Sequence, residues 1–461
     1  MIRKLLRRVF KKPVRTPHHK SAAKAAEISV SVHGIRRDQI SSAARRTCDT
    51  LQQAGFKAYV VGGAVRDLLI GVEPKDYDVA TDATPEQVRG LFRRARVIGR
   101  RFQIVHVMFG QETIEVSTFR AAHDQNTVTD EHGRVLHDNV WGSQAEDAAR
   151  RDFTANALYY DPHKEVVLDY HRGVEDIKKK TLRMIGDPRM RYREDPVRML
   201  RAVRLAAKLG IKIDPATEAP IREMAELLEN VPVARLFDEM LKLLTSGHAV
   251  ACIKRLRDAG LHHGLLPLLD VILEQPLGEK FVMLSLANTD ARVRAGKTTS
   301  PGFLFATLLW HEVLANWEIR KKRGELPQPA LFEAMDEVLD LQGEKLAITR
   351  RIAGDIKDIW LLQPRFDKRS GRQPMRLIEQ PRFRAAYDFL LLRAQSGEVA
   401  MEIADWWTRF HDADYAERET MLLPDTDPKK KRRRRRSNSK KGAADADGAN
   451  AADSGSNGDA A

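Results

Sequence analysis

The sequence predicts an α+β head built on a small mixed sheet, then an all-α neck and body, then a disordered basic tail. Three observations carry that expectation. Short apolar or alternating runs of strand length crowd between Tyr59 and Phe119. From about Thr181 strand signals nearly vanish and helical stretches succeed one another. After Pro424 the composition turns to low complexity, with the unbroken basic block Lys429 to Arg436 ahead of an Ala/Gly/Ser/Asn/Asp segment.

A chain of 461 residues has room for several domains and a substantial core. No apolar run reaches the roughly 20 residues that a membrane span requires. The two cysteines, Cys48 and Cys252, lack metal-ligand spacing. They argue against a disulfide framework or a zinc site and fit a reducing, cytoplasmic compartment. A net charge of +14 favours a polyanionic partner, nucleic acid before membrane. Charge alone does not choose among DNA, RNA and anionic lipid.

Residues 1–37 form a basic arm, poor in acids and interrupted by Pro13 and Pro17, without a secretory signal. Leu5, Leu6, Val9 and Phe10 among Arg and Lys would suit a peripheral membrane contact. A flexible RNA-attracting arm is the plainer reading and is preferred.

The head is expected over residues 38–180. Gln39 to Gly55 has helical spacing and leads into a buried strand, Tyr59 to Val61. Gly62 and Gly63 break that strand, a helix from Ala64 to Leu69 stops at Gly71, and Pro74 punctuates the loop. Asp76 and Asp78 follow in a second strand, where period two points both to one face. Two such carboxylates raise each other's pKa unless a cation lies between them, and Mg²⁺ is the usual cation beside phosphates. A glycine turn opening a helix offers N–H groups to an anion. Together these suggest a metal-and-triphosphate site. The plain alternative, a solvated acidic pair on an edge loop, is weakened by the Gly-Gly turn and by the cationic Arg66.

Thr84 reads as an N-cap with Pro85 at the first helical position. Three runs then follow: Arg96 to Ile98, Gln103 to Phe109 and Thr113 to Phe119. The last two alternate about Gly110 and predict a hairpin, so antiparallel neighbours are expected rather than a βαβ repeat. Glu115 faces away from Ile114 and Val116. It is either the third acid a two-metal site needs or a surface glutamate, and the spacing leaves both open. In the run Arg150 to Ala157, Arg151, Asp152 and Asn156 could hold a nucleotide by charge and hydrogen bonds, or form a helix start with an Arg–Asp pair.

A neck is expected over 181–247 and a body over 248–424, with helices at Pro196 to Leu209, Pro220 to Glu229, Val233 to Leu244, Ala249 to Ala259, Pro301 to Trp317, Pro329 to Leu341 and Arg382 to Gln395. No fixed-period repeat is present. Pro196 marks a first turn, and Asp195, Arg198 and Arg201 share a helical face. Asp195 and Arg198 could read a base edge, or form a capping ion pair worth under about 1 kcal/mol if exposed. The tail, 425–461, reads as a nucleic-acid tether; a nuclear-localisation signal is the less favoured alternative.

In order, GGAVRDLLIG, KDYDVAT, IEVSTFR, RRDFTANAL and REDPVRMLRAVR strongly resemble the bacterial template-independent RNA nucleotidyltransferases, which include poly(A) polymerases and CCA-adding tRNA enzymes. The resemblance runs from about Asp38 to Gly247. Val97 to Val107 and Ala234 to Glu239 are similar to segments of the poly(A) branch, as is the basic tail, the least specific of the three.

That resemblance implies a polymerase-beta-like nucleotidyltransferase head. Asp76 and Asp78 would hold two Mg²⁺ ions with Glu115 as third acid, and Gly62, Gly63 and Arg66 would hold the triphosphate. Asp152 would position ribose or nucleotide; Arg151, Asn156, Asp195 and Arg198 would line the nucleotide pocket, and neck and body would bind RNA. The implied reaction is in-line attack of an RNA 3′-hydroxyl on the α-phosphorus of ATP, without a covalent intermediate. The implied partners are RNA 3′ ends, ATP and the RNA-decay machinery, and the implied state is a cytoplasmic monomer. Two alternatives stand beside this: a CCA-adding tRNA enzyme, and a catalytically idle RNA-binding protein on the same scaffold.

Overall fold

The computed structural model describes residues 24–99, 103–121, 140–263, 265, 269–274 and 276–424. Most of the basic arm, Arg100 to Phe102 and the basic tail lie outside the described residues. The chain divides into two compact units, residues 1–353 and 354–461.

The first unit is built on an eight-stranded sheet: β1 (Ala26–Ser29), β2 (Ala58–Val61), β3 (Asp78–Thr81), β4 (Ala95–Ile98), β5 (Ile104–Phe109), β6 (Glu112–Thr118), β7 (Leu158–Asp161) and β8 (Val166–Asp169). Their order is β1-β8-β7-β2-β3-β6-β5-β4. Within this sheet only β3 and β6 run parallel. The expected hairpin is present: Phe109 pairs with Glu112, and Gly110 takes a left-handed φ of 62° that a side chain would resist. The end of the segment read as a flexible arm is corrected, because Ala26–Ser29 pairs with Val166–Asp169 as β1 beside β8. Strands β7 and β8 were not expected either. Their turn has a local signal, however. Asp161 Oδ1 accepts from the His163 and Lys164 N–H groups at 2.9 and 3.3 Å.

Strand alternation gives the sheet two unlike faces. On one, Val60, Val79, Val105, Val107, Ile114, Val116 and Tyr160 share a core with Ala44, Cys48 and Leu51 of α1 (Ser42–Gln53). The Ser41 hydroxyl caps α1 by accepting from the Ala44 N–H at 3.1 Å. The other face carries a smaller cluster of Val61, Ala80, Phe119, Ala148 and Tyr159. Asp78, Glu115 and His106 lie on this second face, so the site sits beside a minor core rather than over the main one.

Six further helices place the remaining groups: α2 (Gly63–Leu69), α3 (Pro85–Leu91), α4 (Gln144–Arg150), α5 (Pro188–Glu194), α6 (Val197–Leu209) and α7 (Val233–Leu244). Thr84 and Gln87 form a reciprocal capping box on α3, and Ser143 and Glu146 do so on α4. Helix α6 buries Met199, Leu200, Ala202, Val203 and Ala206 and ends at Gly210, whose φ of 62° is a left-handed cap. Some expected boundaries move: the helix placed at Pro301 to Trp317 runs on to Lys322, and that at Pro329 to Leu341 spans Pro327–Gly343. The helix placed at Pro220 starts at Pro215 behind Asp214 and carries Pro220 inside it, and Ala225–Asn230 is 3₁₀ rather than α. The Asp-Pro pair at 214–215 is the stronger start signal.

In the second unit, Phe366, Phe383, Tyr387, Trp407 and Phe410 form an aromatic core, and Trp407 Nε1 donates to the Phe366 carbonyl at 2.8 Å. Among the described residues no helix is long and apolar enough to cross a membrane.

Candidate active site

Strand β2 delivers the chain into Gly62, where φ is 71° and ψ is −128°, a backbone conformation that L side chains rarely adopt. Its N–H donates to the Leu158 carbonyl at 3.3 Å. A Cβ at Gly62 would stand 3.4 Å from Arg151 Nη1, so the absent side chain lets the β2–α2 turn close against that guanidinium. Gly63 then begins α2. Arg66, offered by the sequence to a triphosphate, is turned inward. Its Nε and Nη2 donate to Asp67 Oδ1 at 2.8 and 2.6 Å, and its Nη1 to Asn156 Oδ1 at 2.6 Å. At 6% exposure it buttresses the turn rather than presenting its charge.

The acids lie alongside. Asp78 opens β3, opposite Val61 of β2 on one side and Glu115 of β6 on the other. Asp76 precedes the strand instead of lying within it, a correction to the expected strand start. The alternation nevertheless holds. Tyr77 is buried and its hydroxyl donates to the Gln39 carbonyl at 2.9 Å, while Asp76 and Asp78 on either side of it are exposed. Beyond Glu115, His106 of β5 brings Nε2 to 3.4 Å from Glu115 Oε1.

Desolvation, and then the Glu115 charge, push the Asp78 carboxyl up to about 6; Arg151 opposes the shift and Asp76 adds to it. Such a carboxylate favours a cation. Among the described residues no three His, Cys, Asp or Glu side chains converge to hold a metal ion. Mg²⁺ does not need such a cage, because it keeps several waters and takes one or two carboxylates together with substrate phosphates. The carboxylate oxygens of Asp76 and Asp78 are donors of the kind such an ion takes.

Arg151 follows α4 and lies over the Tyr159 ring at 5.2 Å. Its Nε donates to the Tyr159 hydroxyl at 3.1 Å, its Nη2 to Asp147 Oδ2 at 3.3 Å and its Nη1 to the Asn156 carbonyl at 3.3 Å. Burial alone would lower its pKa, but Tyr159 and Asp147 outweigh that and hold it above the ordinary value. Asp152 is fully engaged. Oδ1 accepts from the Phe153 N–H at 2.8 Å and from Asn156 Nδ2 at 3.0 Å, and Oδ2 accepts from Arg201 Nε and Nη2 at 2.8 and 2.6 Å. Its burial opposes ionisation, yet these donors, Arg201 first, depress its pKa well below the usual carboxylate range.

Asp195 and Arg198 are near in sequence but hold different partners. Asp195 Oδ2 accepts from Arg235 Nη2 at 2.7 Å, while Arg198 Nη1 donates to Glu194 Oε2 at 2.9 Å and to the Arg191 carbonyl at 2.9 Å. Arg193, Glu194, Asp195, Pro196, Asn230 and Arg235 are among the residues that line a small cleft.

Arg191, Arg204 and Lys208, not singled out as site groups from sequence, join Arg198 and Arg201 to complete the arrangement. Arg191 of α5 donates through Nη2 to the Arg150 and Arg151 carbonyls at 2.5 and 2.7 Å, holding the end of α4. Arg198, Arg201, Arg204 and Lys208 form a basic stripe on α6. It meets Glu194, Asp152, Glu239 and Asp67 at 2.9, 2.6, 3.4 and 3.8 Å respectively. The signal was readable: cations recur every three or four positions through REDPVRMLRAVRLAAK.

Three family models match the chain: "Poly A polymerase head domain" over residues 58–183, "Probable RNA and SrmB- binding site of polymerase A" over 210–273, and "Polymerase A arginine-rich C-terminus" over 323–441. The chain is 43% identical to the poly(A) polymerase I of Haemophilus influenzae, covering 88% of this chain and 91% of that one. It is 40% identical to the CCA-adding enzyme of Lactobacillus helveticus, but over only 43% of this chain and 49% of that one. Among solved structures, the Bacillus stearothermophilus CCA-adding enzyme in complex with CTP superposes with a TM-score of 0.53 at 27% identity, over 80% of this chain and 81% of that one.

Proposed function

The chain belongs to the poly(A) polymerase I family, and from that premise we propose that its carboxylate group, basic cradle and neck helix transfer AMP from ATP to RNA 3′ ends. The enzyme is a polynucleotide adenylyltransferase: ATP and RNA give RNA extended by one adenylate, plus pyrophosphate, without a template. The observation that carries the site assignment is the register that sets Asp78 beside Glu115, with Gly62 and Arg151 adjoining. Mg²⁺ held by Asp76 and Asp78, with Glu115 as third acid, would supply the positive charge that eases proton loss from the 3′-hydroxyl and steadies the departing pyrophosphate.

The chain's own groups do the positioning. The Gly62–Gly63 backbone and Arg151 flank the triphosphate. Arg66 acts at one remove by holding Asn156, and through it the Arg151–Asp152 segment. Asp152, with both oxygens engaged, frames the nucleotide pocket instead of ligating metal. Asp195 and Arg198 line the base end and share their polar groups with Arg235 and Glu194. A head over 38–180, a neck over 181–247 and an RNA-binding body over 248–424 suit this division of labour. The family model over 210–273, by its description, supports RNA and RNA-processing partners at the neck–body junction.

One incorporation assay with the four NTPs on an unstructured RNA tests the reading. Incorporation from ATP in preference to the other three NTPs is expected. CTP addition to tRNA lacking its terminus, at a rate equal to ATP use on generic RNA, would instead support the CCA-adding reading. No Mg²⁺-dependent pyrophosphate release at all would support an idle RNA-binding protein.

A further inference from the structure

The sheet register orders the site groups along one line. From β2 outward, Val61 adjoins Asp78, Asp78 adjoins Glu115, Glu115 adjoins His106 and His106 adjoins Arg96. Alternation puts the last four side chains on the same face, away from the core that holds Val97, Val105, Val107, Ile114 and Val116. Arg96 is exposed on β4, the last strand of the sheet, and the His106 side chain is 28% exposed. With strands spaced about 4.8 Å apart, His106 lies about 10 Å and Arg96 about 14 Å from Asp78. The line thus runs from a phosphate-holding turn at Gly62, across the acids, to two basic groups at the sheet edge.

In-line displacement fixes how a substrate pair can lie on such a line, because the attacking oxygen and the leaving pyrophosphate occupy opposite sides of the α-phosphorus. If Gly62 and Arg151 hold the triphosphate on the β2 side, the RNA strand carrying the 3′-hydroxyl arrives from the β5–β4 side. We propose that Arg96 and His106 form the landing strip for the 3′-terminal phosphates of the RNA primer. Arg96 supplies charge and His106 an N–H beside Glu115. This rests on the assignment of the carboxylates as the transfer site.

The experiment uses the full chain with a short fluorescein-labelled oligoadenylate, comparing wild type with Arg96→Ala, Arg96→Lys and His106→Gln. Binding is read by anisotropy across a salt series without ATP, and extension by steady-state kinetics. For Arg96→Ala, the expected result is an RNA KM raised about tenfold, with ATP KM and kcat at saturating RNA nearly unchanged. The salt slope of RNA affinity should fall by about 0.7, the loss of one single-strand phosphate contact. Arg96→Lys should restore most of the affinity, and His106→Gln should weaken RNA binding less than Arg96→Ala does. An unchanged RNA KM and slope in Arg96→Ala overturns the strip while leaving the transfer site intact. A raised ATP KM with unchanged RNA KM also overturns it and moves the triphosphate to this side. Absence of extension by the wild-type chain would instead count against the transfer site itself, and the anisotropy series would still decide whether Arg96 contacts RNA.

Discussion

Arg201 grips Asp152 through two hydrogen bonds to a single carboxylate oxygen, Nε at 2.8 Å and Nη2 at 2.6 Å, and so ties helix α6 to the Arg150–Asn156 segment. Asp152 is 9% exposed, so removing Arg201 would strand a buried charge. Arg201→Ala should cost about 2–3 kcal/mol in denaturant unfolding, at the low end for a buried pair because Arg201 itself reaches solvent. Combining it with Asp152→Asn should cost less than the sum of the two single variants. The folded pKa of Asp152 is depressed, so the pair's contribution is present above the unfolded carboxylate pKa and is lost as pH falls through the folded value. Arg201→Ala should therefore lose stability less steeply in acid than wild type; equal acid slopes would refute the coupling.

Gly62 and Gly63 are neighbours with opposite tolerances. Gly62 has a φ of 71°, and an added Cβ would meet Arg151 Nη1 at 3.4 Å. Gly63 needs no positive φ, and its Cβ would lie 3.5 Å from Arg66 Nη2, an ordinary contact. Gly62→Ala should destabilise by about 1–3 kcal/mol through backbone strain and raise the ATP KM by disturbing the turn. Gly63→Ala should unfold within about 0.5 kcal/mol of wild type. Thermal melts and ATP titrations of the two variants check the contrast, which disappears if both behave alike.

Much of this arrangement is legible in the sequence. The Gly-Gly turn, the Asp76–Asp78 pair and Glu115 carry chemistry in their residue types and spacing, and strand alternation placed Glu115 on the correct face. What sequence could not supply is which charges are already spoken for. Arg66 and Asp152 look like ligands in a motif, yet both are closed by partners distant in sequence, Asn156 and Arg201. Pairing across 49 residues, between Asp152 and Arg201, has no local period to betray it. The strands Leu158–Asp161 and Val166–Asp169 escaped for a related reason: their burial comes from sheet neighbours distant in sequence.

The basic block near the C-terminal end of the sequence should matter for RNA capture. The block Lys429 to Arg436 contributes eight cations in a row by sequence, and each phosphate contact releases counterions. Deleting the residues after Pro424 should weaken RNA binding and flatten its dependence on salt, while ATP KM stays unchanged. Filter-binding across a salt series measures this, and an unchanged slope would dispose of the tether.

Asp78 provides the sharpest pH test. Its carboxyl is raised from 3.8 to about 6, first by desolvation and then by Glu115. A raised folded pKa means the charged form is disfavoured by folding. The penalty is absent below the unfolded pKa, grows as pH rises and is complete above about 6. Asp78→Asn should therefore raise the Tm of the metal-free protein at neutral pH, by only about 2 °C because solvent reaches the side chain and screens the effect. The difference should vanish in acid below the unfolded pKa. Excess Mg²⁺ should stabilise wild type by mass action, and do so less for Asp78→Asn, which loses one of the paired carboxylates. Melting curves across pH, with and without Mg²⁺, decide the matter: a Tm lowered by the substitution at neutral pH, or a Mg²⁺ shift equal in both proteins, would remove Asp78 from the cation site.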